Sequence, residues 1–332
     1  MDTLRIGTLG AAQITPMALI KPALQIPNIK IVGIAARNPK RAEKFAHKYN
    51  IPTVFQSYEE LIQSDSIDAI YNPLPNSHHA YWSIQALRAG KHVLCEKPIA
   101  SNVNEAVEMQ RVAQKENRVL MEAFHWRYHP LAKRMIHLVQ EGTIGKIHNI
   151  EASFCIPLPF WNDIRYNIHL AGGALMDTGC YTVSILRHVM QEEPTVLSAQ
   201  AKTVRTDIDR YMSARLEFPS GAKGSLQCSI WAWPLLSAYV NIYGESGSIH
   251  VVNPIGPHIL YHHLRIKTSS GVQVEKFKEG STYYHQLQHF FDAVYHNKPT
   301  ITDGHDGIAN MKVIDEIYRK AGLPLREGYT KI

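Results

Sequence analysis

Residues 4–16 read LRIGTLGAAQITP, a short apolar run that leads through a glycine into a helix start. The run predicts a strand over 4–9, and Thr15 followed by Pro16 predicts a helix with the threonine as its N-cap. The glycine-rich fingerprint of dinucleotide-binding domains occupies this place, between a first strand and a first helix. Of the pattern G-x-G-x-x-G the chain keeps Gly10, while Ala12 and Thr15 fill the other two positions. The position of the turn favours a nucleotide site, and a plain strand–helix connection is the alternative.

Strand and helix signals alternate from this turn to residue 123. Further strands are predicted at 30–36, 68–72, 91–95 and 118–123. The helices between them carry N-cap signals, which are Asn38 before Pro39, Ser57 with Glu60, and Asn102 with Glu105. Strands separated by helices imply right-handed parallel crossovers within one sheet. We therefore predict an α/β fold with a doubly wound Rossmann domain over residues 1–123.

The second half has a different rhythm. Helices are expected near 130–141 and 174–190, and closely spaced strands follow at about 146–157, 195–205, 211–218, 222–231, 237–243 and 258–267. Residues 219–221 and 244–247 are typical of hairpin turns. This spacing predicts an α+β domain over 124–332 with a largely antiparallel open sheet. Its helices are expected to cover one sheet face, and a bare opposite face would favour assembly into a homo-oligomer, a dimer or tetramer. We expect the same domain to bind the substrate.

Composition narrows the class of protein. The 332 residues are 45% hydrophobic and 19% charged, with a formal net charge of +6. This is ordinary for a globular protein of about two domains. The positive balance suits an anionic small molecule, but the basic residues are scattered, so nucleic acid is not an expected partner. No apolar run approaches the length of a membrane span, so no membrane association is expected.

Cysteine and histidine usage indicates the compartment and argues against a metal. Cys95, Cys155, Cys180 and Cys228 form no CxxC pair, which is typical of reduced thiols and favours a cytoplasmic protein. The N-terminus lacks the pattern of a signal peptide. The 18 histidines show no ligand spacing, so no metal site is expected.

The end of the second predicted strand indicates the cofactor. An NAD-selective site usually has a carboxylate there, but this chain reads Ala35-Ala36-Arg37-Asn38. Arg37 can offer a forked contact to a ribose 2′-phosphate, and Arg41 lies one helical turn further on. We therefore expect NADP rather than NAD. The alternative is a solvated basic helix end.

Other cofactor contacts are expected from the strand ends. The predicted set is Gly10, Ala12, Gln13, Ile14, Arg37, Arg41, Pro73, Asn76, His79, Glu96 and Lys97. Lys97 lies in the segment 90–98, GKHVLCEKP, just past a strand, where parallel sheets bind their ligands. A surface lysine before an ordinary turn is the competing interpretation.

A second segment, 172–181, carries the other candidate catalytic groups. Its sequence GGALMDTGCY places Asp177 and Tyr181 four residues apart on one helical face. A tyrosine near an ammonium can carry a proton, which hydride transfer from an alcohol requires. The preceding glycine pair would let the backbone approach a ligand closely. Spacing alone also fits a Tyr–Asp pair that stabilises a helix end.

Two groups of residues are candidates for the substrate. Trp126 and Arg127 could frame a polyol, or they could belong to a packing cluster where the second domain begins. Arg165 and Tyr166 precede the glycine pair and could belong to a substrate loop, or to an ordinary surface loop.

Five segments together resemble the Gfo/Idh/MocA oxidoreductase family. They are the Gly10-x-Ala12 turn and residues 75–79, 89–98, 121–124 and 172–181, in the family's order. Many members have histidine where Tyr181 stands, and the tyrosine resembles the branch of dimeric dihydrodiol dehydrogenase and NADP-dependent D-xylose dehydrogenase. The resemblance implies that Tyr181 is the general acid/base, that Lys97 orients substrate, and that Asp177 holds a substrate hydroxyl or positions Tyr181. It also implies a cis Lys97–Pro98 bond.

The expected function is an NADP-dependent oxidoreductase that moves a hydride between nicotinamide and a ring carbon of a sugar, cyclic polyol or trans-dihydrodiol. Two alternatives stay open. One is a glucose–fructose oxidoreductase type, whose cofactor never dissociates. The other is an NAD(P)-binding sensor or repressor without turnover, because fold alone does not fix function.

Overall fold

The computed structural model describes residues 3–204 and 207–329, and contacts divide the chain into two units. The first unit runs to His125 and also contains Tyr283–Ile308 and the segment from Gly328. The second unit contains Trp126–Thr282 and Ala309–Glu327. The segment 283–308 therefore clusters with the first unit, although the sequence-based division places it in the second domain. The functional division at residue 123 stays a prediction.

The first unit is built on a six-stranded parallel sheet in the order β3-β2-β1-β4-β5-β6. Its strands are β1 (Leu4–Leu9), β2 (Ile29–Ala35), β3 (Thr53–Phe55), β4 (Ala69–Asn72), β5 (His92–Cys95) and β6 (Leu120–Glu122). Leu4, Ile6 and Leu9 of β1 are fully buried, as expected for the centre of a sheet covered on both faces. The strand order reverses on either side of β1, and such a switch point creates a crevice at the carboxyl ends of the strands. The predicted doubly wound fold is confirmed.

The helices of this unit begin largely where the sequence predicts. They are α1 (Lys21–Ala23), α2 (Pro39–Tyr49), α3 (Tyr58–Gln63), α4 (His79–Arg88) and α5 (Val103–Lys115), with α8 (Thr282–Tyr295) and the start of α9 (Gly304–Lys320) added from the C-terminal part. Three predicted caps are confirmed, because Asn38, Ser57 and Asn102 each accept a hydrogen bond from the backbone N–H three residues on.

The predicted cap at Thr15 is wrong. Its backbone is already helical and its side chain makes no capping hydrogen bond, because the first turn closes earlier, from Ala18 N–H to the Ile14 carbonyl at 2.9 Å. The turn Pro16–Ile20 is a π-helix that leads into α1.

The edge of the first sheet at β6 is covered by residues 302 and 303 from the C-terminal part of the chain. Met121 of β6 pairs with Asp303 in an antiparallel bridge. The Glu122 N–H donates to the Thr302 carbonyl at 2.8 Å, and the Thr302 hydroxyl donates back to the Glu122 carbonyl at 2.7 Å. Residues 302 and 303 thus satisfy backbone groups that an edge strand would otherwise leave open.

The second unit has an eight-stranded sheet in the order β14-β13-β12-β11-β7-β10-β9-β8. Its strands are β7 (Ile147–Cys155), β8 (Thr195–Val204), β9 (Ile208–Glu217), β10 (Lys223–Ser229), β11 (Ser237–Gly244), β12 (Gly247–Val252), β13 (His263–Thr268) and β14 (Gly271–Glu275). The pair β7–β10 is parallel and the other described pairs are antiparallel. Helices α6 (Pro130–Gln140), α7 (Cys180–Met190) and most of α9 belong to this unit. The predicted α+β domain is confirmed.

The strand predictions fail at the end of this sheet. The predicted strand 258–267 begins only at His263, and residues 259–261 are exposed loop. Strands β12 and β14 were not predicted, because β12 follows a hairpin turn directly and β14 is a short, mostly exposed edge strand.

Within the described residues, no helix is long and apolar enough to cross a membrane. The same residues contain no group of three or more histidine, cysteine and acidic side chains placed to hold a metal ion. The four cysteines are free and buried, and the cytoplasmic location inferred from them stays a prediction.

We expect the stability of this fold to fall on acidification partly through His92. Burial, with the charge of Arg118, lowers the pKa of His92 to about 4, and its Nδ1 accepts a hydrogen bond from the Val119 N–H at 3.0 Å. The unfolded chain therefore binds more protons between pH 6.5 and 4, so the free energy of unfolding should decrease as pH falls through this window, by at most about 1.4 kcal/mol per pH unit from this group. Urea unfolding at several pH values checks this.

The matched variant is His92→Asn, whose amide oxygen can still accept from Val119. It should have a shallower acid dependence than the wild type between pH 6.5 and 4. An unchanged slope would show that His92 is not buried in its neutral form.

Candidate functional site

The turn after β1 has the geometry of a nucleotide-binding loop. Gly10 has a φ of +80°, its N–H donates to the Ala35 carbonyl at 2.6 Å, and a Cβ there would lie 3.2 Å from the Leu74 side chain. Glycine is therefore required here both by conformation and by close approach. Ala12 and Ile14 are half-buried and Gln13 is exposed, so this loop is accessible beyond the glycine.

Two guanidinium groups lie close to this turn. Arg41 Nη2 donates to the Ala11 carbonyl at 2.9 Å, which ties the start of α2 to the turn. The second guanidinium is that of Arg37. Tyr58 lies between the two arginines and the turn, since its hydroxyl is 3.8 Å from the Cβ position of Gly10 and both arginine charges act on it. Burial raises the pKa of Tyr58, while a backbone hydrogen bond with Arg37 and the charges of Arg37 and Arg41 oppose that rise. Arg37 after β2 and Arg41 in α2 are thus two exposed cations near the Tyr58 phenol. Tyr58 was missed by the sequence reasoning, which used its segment only as a capping box.

The loop after β4 is fixed by a buried histidine. His79 lies between two backbone carbonyls, 2.8 Å from Leu74 through Nε2 and 2.8 Å from Pro98 through Nδ1. Burial lowers the pKa of His79 to about 4. The imidazole joins the loop after β4 to the loop after β5, so it holds the two loops that would line a cofactor. In the loop after β4, Pro73 is buried and Asn76 is half-buried.

The end of β5 presents the predicted lysine. Lys97 is half-buried, whereas Glu96 and Pro98 on either side are buried, and the Lys97–Pro98 bond is cis as the resemblance implies. The Tyr71 hydroxyl donates to Glu96 Oε1 at 2.6 Å. Burial and then the Glu96 charge raise the pKa of both Tyr71 and Tyr283. Neither tyrosine is among the predicted site residues, although a tyrosine in an otherwise apolar strand is a usable signal for Tyr71.

In the second unit, Asp177 and Arg165 form an ion pair. Arg165 Nε lies 2.7 Å from Asp177 Oδ2, and its Nη1 lies 3.1 Å from Asp163 Oδ1. The structure thus brings together two residues that the sequence assigned separately, one to catalysis and one to substrate. Asp177 lies in a π-helical turn, Leu175–Gly179, and Tyr181 follows in α7. Tyr181 is 5% exposed and packs edge-on against Phe154 with ring centroids 5.6 Å apart.

The glycine pair before this turn is explained by the protein's own packing. A Cβ on Gly172 would lie 2.5 Å from the Arg165 carbonyl, and one on Gly173 would lie 2.2 Å from Asp209 Oδ1. The Gly173 N–H donates to that same Arg165 carbonyl at 2.8 Å. The close approach inferred from the sequence therefore exists, but its partners are a loop and a buried carboxylate.

The remaining substrate candidates are more deeply placed than expected. Trp126 is fully buried, which favours the packing cluster that the sequence left open, and the Arg127 guanidinium lies 5.8 Å from its ring. The Tyr166 hydroxyl donates to the Leu158 carbonyl at 2.6 Å, so it fastens the loop instead of facing solvent. The substrate roles of these three residues stay predictions.

Comparison with known proteins agrees with this architecture. A model described as the oxidoreductase family with an NAD-binding Rossmann fold matches residues 4–124, and a model of the GFO/IDH/MocA C-terminal domain matches residues 132–250. The chain belongs to the Gfo/Idh/MocA oxidoreductase family, so the predicted family is confirmed. The prediction of a dehydrogenase or reductase is confirmed at this level.

Three relatives indicate the range of chemistry. The chain is 34% identical over 319 residues to D-xylose 1-dehydrogenase (NADP(+)) 2 of Haloferax volcanii, covering 95% of this chain and 96% of that protein. It is 33% identical over 246 residues, 72% of each chain, to trans-1,2-dihydrobenzene-1,2-diol dehydrogenase of Mus musculus. A solved 3-ketoreductase from Actinomadura kijaniata, in complex with NADP and TDP-benzene, superposes with a TM-score of 0.90 at 26% identity, covering 99% of this chain and 100% of that one.

Proposed function

We propose that this chain is an NADP-dependent dehydrogenase or reductase that acts on a ring carbon bearing a hydroxyl in a sugar, a cyclic polyol or a trans-dihydrodiol. The observation that carries the proposal is the placement of Lys97. It is a partly exposed ammonium at the carboxyl end of β5, in the parallel sheet whose neighbouring turn has the nucleotide-loop geometry. The names of the relatives add support for the substrate class and for NADP.

The residues of the first unit fit an NADP molecule. The Gly10 turn has no Cβ at its closest point, and Arg37 and Arg41 offer two cations where a ribose 2′-phosphate is accommodated in this fold. No carboxylate stands at the end of β2 to repel that phosphate. Bound NADP would supply the carbon that accepts or donates the hydride.

The protein's own side chains would transfer the alcohol proton. We propose that Tyr181 takes the alcohol proton during oxidation and returns it during reduction, and that Lys97 orients the substrate. Asp177, held by Arg165 at 2.7 Å, would accept a substrate hydroxyl or position Tyr181.

An absorbance assay at 340 nm tests the proposal. The purified protein is mixed with NADP⁺, and separately with NAD⁺, against D-xylose, D-glucose, inositols and a trans-dihydrodiol. Appearance of NADPH with one substrate class, faster than NADH, is the expected result. Silence across the panel with tight NADP(H) binding would contradict it and favour a sensor or a cofactor that does not dissociate.

Cofactor choice is expected to depend on Arg37. Arg37→Glu should weaken NADP binding roughly tenfold to a hundredfold, the scale of one lost charged contact to phosphate, and should affect NAD less. Fluorescence titration gives the Kd for both cofactors. The matched control is Lys44→Glu, which makes the same change of charge at an exposed position of α2, the helix that follows Arg37. Equal weakening of NADP and NAD by Arg37→Glu would show that this arginine does not recognise the 2′-phosphate.

We also propose that the chain forms a homo-oligomer through the second sheet. Along β11, Val240 and Ile242 are buried, whereas Tyr239, Asn241 and Tyr243 on the other face are only half-buried. A face with aromatic and amide groups suits an interface between copies. Sedimentation equilibrium should give a mass of two or four chains, and a monomer at micromolar concentration would contradict this.

A further inference from the structure

A buried ion pair lies directly beneath the segment that carries Asp177 and Tyr181. Arg326 Nη2 lies 2.7 Å from Asp209 Oδ1, and both side chains are completely inaccessible to solvent. The Tyr318 hydroxyl donates to the same Asp209 oxygen at 3.0 Å, and the Tyr318 ring lies 4.2 Å from the guanidinium carbon of Arg326. The pair thus joins β9 to α9 and to the chain that follows α9.

The contacts of this pair converge on residues 172–175. Asp209 Oδ2 accepts from the Leu175 N–H at 2.7 Å, which is the first N–H of the π-helical turn that contains Asp177. Arg326 Nε donates to the Gly172 carbonyl at 2.7 Å. One ion pair therefore holds both ends of the glycine segment, and it places a carboxylate at the N-terminus of a helix, where a negative charge is favourable.

The same segment is held from the other side by the Arg165 loop. Gly173 donates to the Arg165 carbonyl, and the Arg165 side chain binds Asp177. A displacement of residues 172–175 would therefore change both the start of the turn and the backbone that carries the partner of Asp177. A buried ion pair is weak evidence for added stability, because removing two charges from water costs much of what their attraction returns. The presence of the Asp209–Arg326 pair at this place is better explained by the backbone of residues 172–175, which it holds in position.

We propose that Asp209 and Arg326 are positioning residues of the proton-transfer site, which fix residues 172–175 so that Asp177 and Tyr181 keep their catalytic placement. The inference rests on the proposed function of Tyr181. It assigns a role in the reaction to the C-terminal segment after α9, in which sequence analysis found no functional residue.

The test uses full-length variants that keep most of the packing. Arg326→Lys keeps the charge but loses the fork that reaches both Asp209 and Gly172, and Tyr318→Phe removes one donor while the ring remains. Arg134→Met is the control, because it breaks ion pairs with Glu275 and Glu141 that lie elsewhere in the second unit. Circular dichroism first establishes which variants are folded at the assay temperature.

We expect Arg326→Lys to lower kcat by about tenfold or more, with NADPH affinity changed less than twofold, because small misplacements of reacting groups are costly. The pH profile of kcat should also shift by more than half a pH unit. Tyr318→Phe should have a smaller effect in the same direction, and Arg134→Met should leave kcat and its pH profile unchanged. A folded Arg326→Lys variant with wild-type kcat and pH profile would overturn the proposal.

A second measurement does not depend on turnover. The ¹⁹F chemical shift of 3-fluorotyrosine at position 181, followed against pH, should differ between wild type and Arg326→Lys but not between wild type and Arg134→Met. An identical titration in Arg326→Lys would overturn the positioning role. Turnover of Tyr181→Phe separates this proposal from the proposed function. If that variant keeps full turnover while the ¹⁹F titration of position 181 still differs between wild type and Arg326→Lys, the assigned catalytic role of Tyr181 fails. The positioning of its ring by Arg326 then stands.

Discussion

Replacing Tyr181 by phenylalanine should lower kcat by about a hundredfold or more, the scale of lost acid–base catalysis. The ring packs edge-on against Phe154 and is 5% exposed, so phenylalanine fills the same space and removes only the hydroxyl. The nucleotide turn and its arginines lie in the first unit, so the Kd for NADPH should stay within about twofold of wild type. Steady-state kinetics and a fluorescence titration on the same preparation give both values.

Tyr261→Phe is the control. Tyr261 is an exposed tyrosine in the loop before β13 in the same unit, and its hydroxyl has no proposed role in the reaction. Its kcat should equal that of the wild type. Near-normal turnover in Tyr181→Phe would remove this residue from the mechanism, and a large loss in both variants would indicate a general effect of losing a phenol from this unit.

Gly173→Ala is expected to destabilise the protein by more than about 4 kcal/mol, among the largest effects of single substitutions. The added Cβ would lie 2.2 Å from Asp209 Oδ1, inside a carboxylate that is fixed by three hydrogen bonds and fully buried. Gly173 also has a φ of +127°, where a side chain is strained in any surroundings. Urea unfolding of the variant and wild type measures the difference.

Gly271→Ala separates the two causes. Gly271 has the same φ of +127°, but nothing lies within 4 Å of its Cβ position. This variant should lose only the cost of backbone strain, on the order of 1–3 kcal/mol. If Gly173→Ala and Gly271→Ala lower the free energy of unfolding equally, the contact with Asp209 contributes nothing. That result would weaken the proposal that Asp209 and Arg326 fix residues 172–175.

The parts of the fold that could be predicted are those encoded by neighbouring residues. The caps at Asn38, Ser57 and Asn102 are correct because each depends on a side chain and an N–H three residues away. Strand β14 was missed because an exposed edge strand has no buried face to create an alternating pattern. The Thr15 cap failed because the helix began one residue earlier, which a list of preferred residues does not determine.

Most residues of the candidate site could be named from the sequence, but the contacts between them could not. Lys97, Asp177 and Tyr181 were named from motifs, yet the partner of Asp177 is Arg165, twelve residues away and assigned to substrate. The pair of Asp209 and Arg326 spans 117 residues and has no local signal at either end. Such contacts depend on the order of strands in the second sheet, which the spacing of apolar residues does not specify.

The way the chain returns to cover β6 limits how this protein can be dissected. A fragment that ends at residue 123 would lack Thr302 and Asp303, so the N–H and C=O groups of Glu122 and the edge of Met121 would be left for another chain to pair with. The first unit is therefore formed by separate segments of the chain, and a single cut after residue 123 does not isolate it as a complete domain. Chimeras with relatives of different substrate preference should exchange 126–282 together with 309–327, so that Asp209 keeps its own Arg326, and leave residues 1–125 and 283–308 in place.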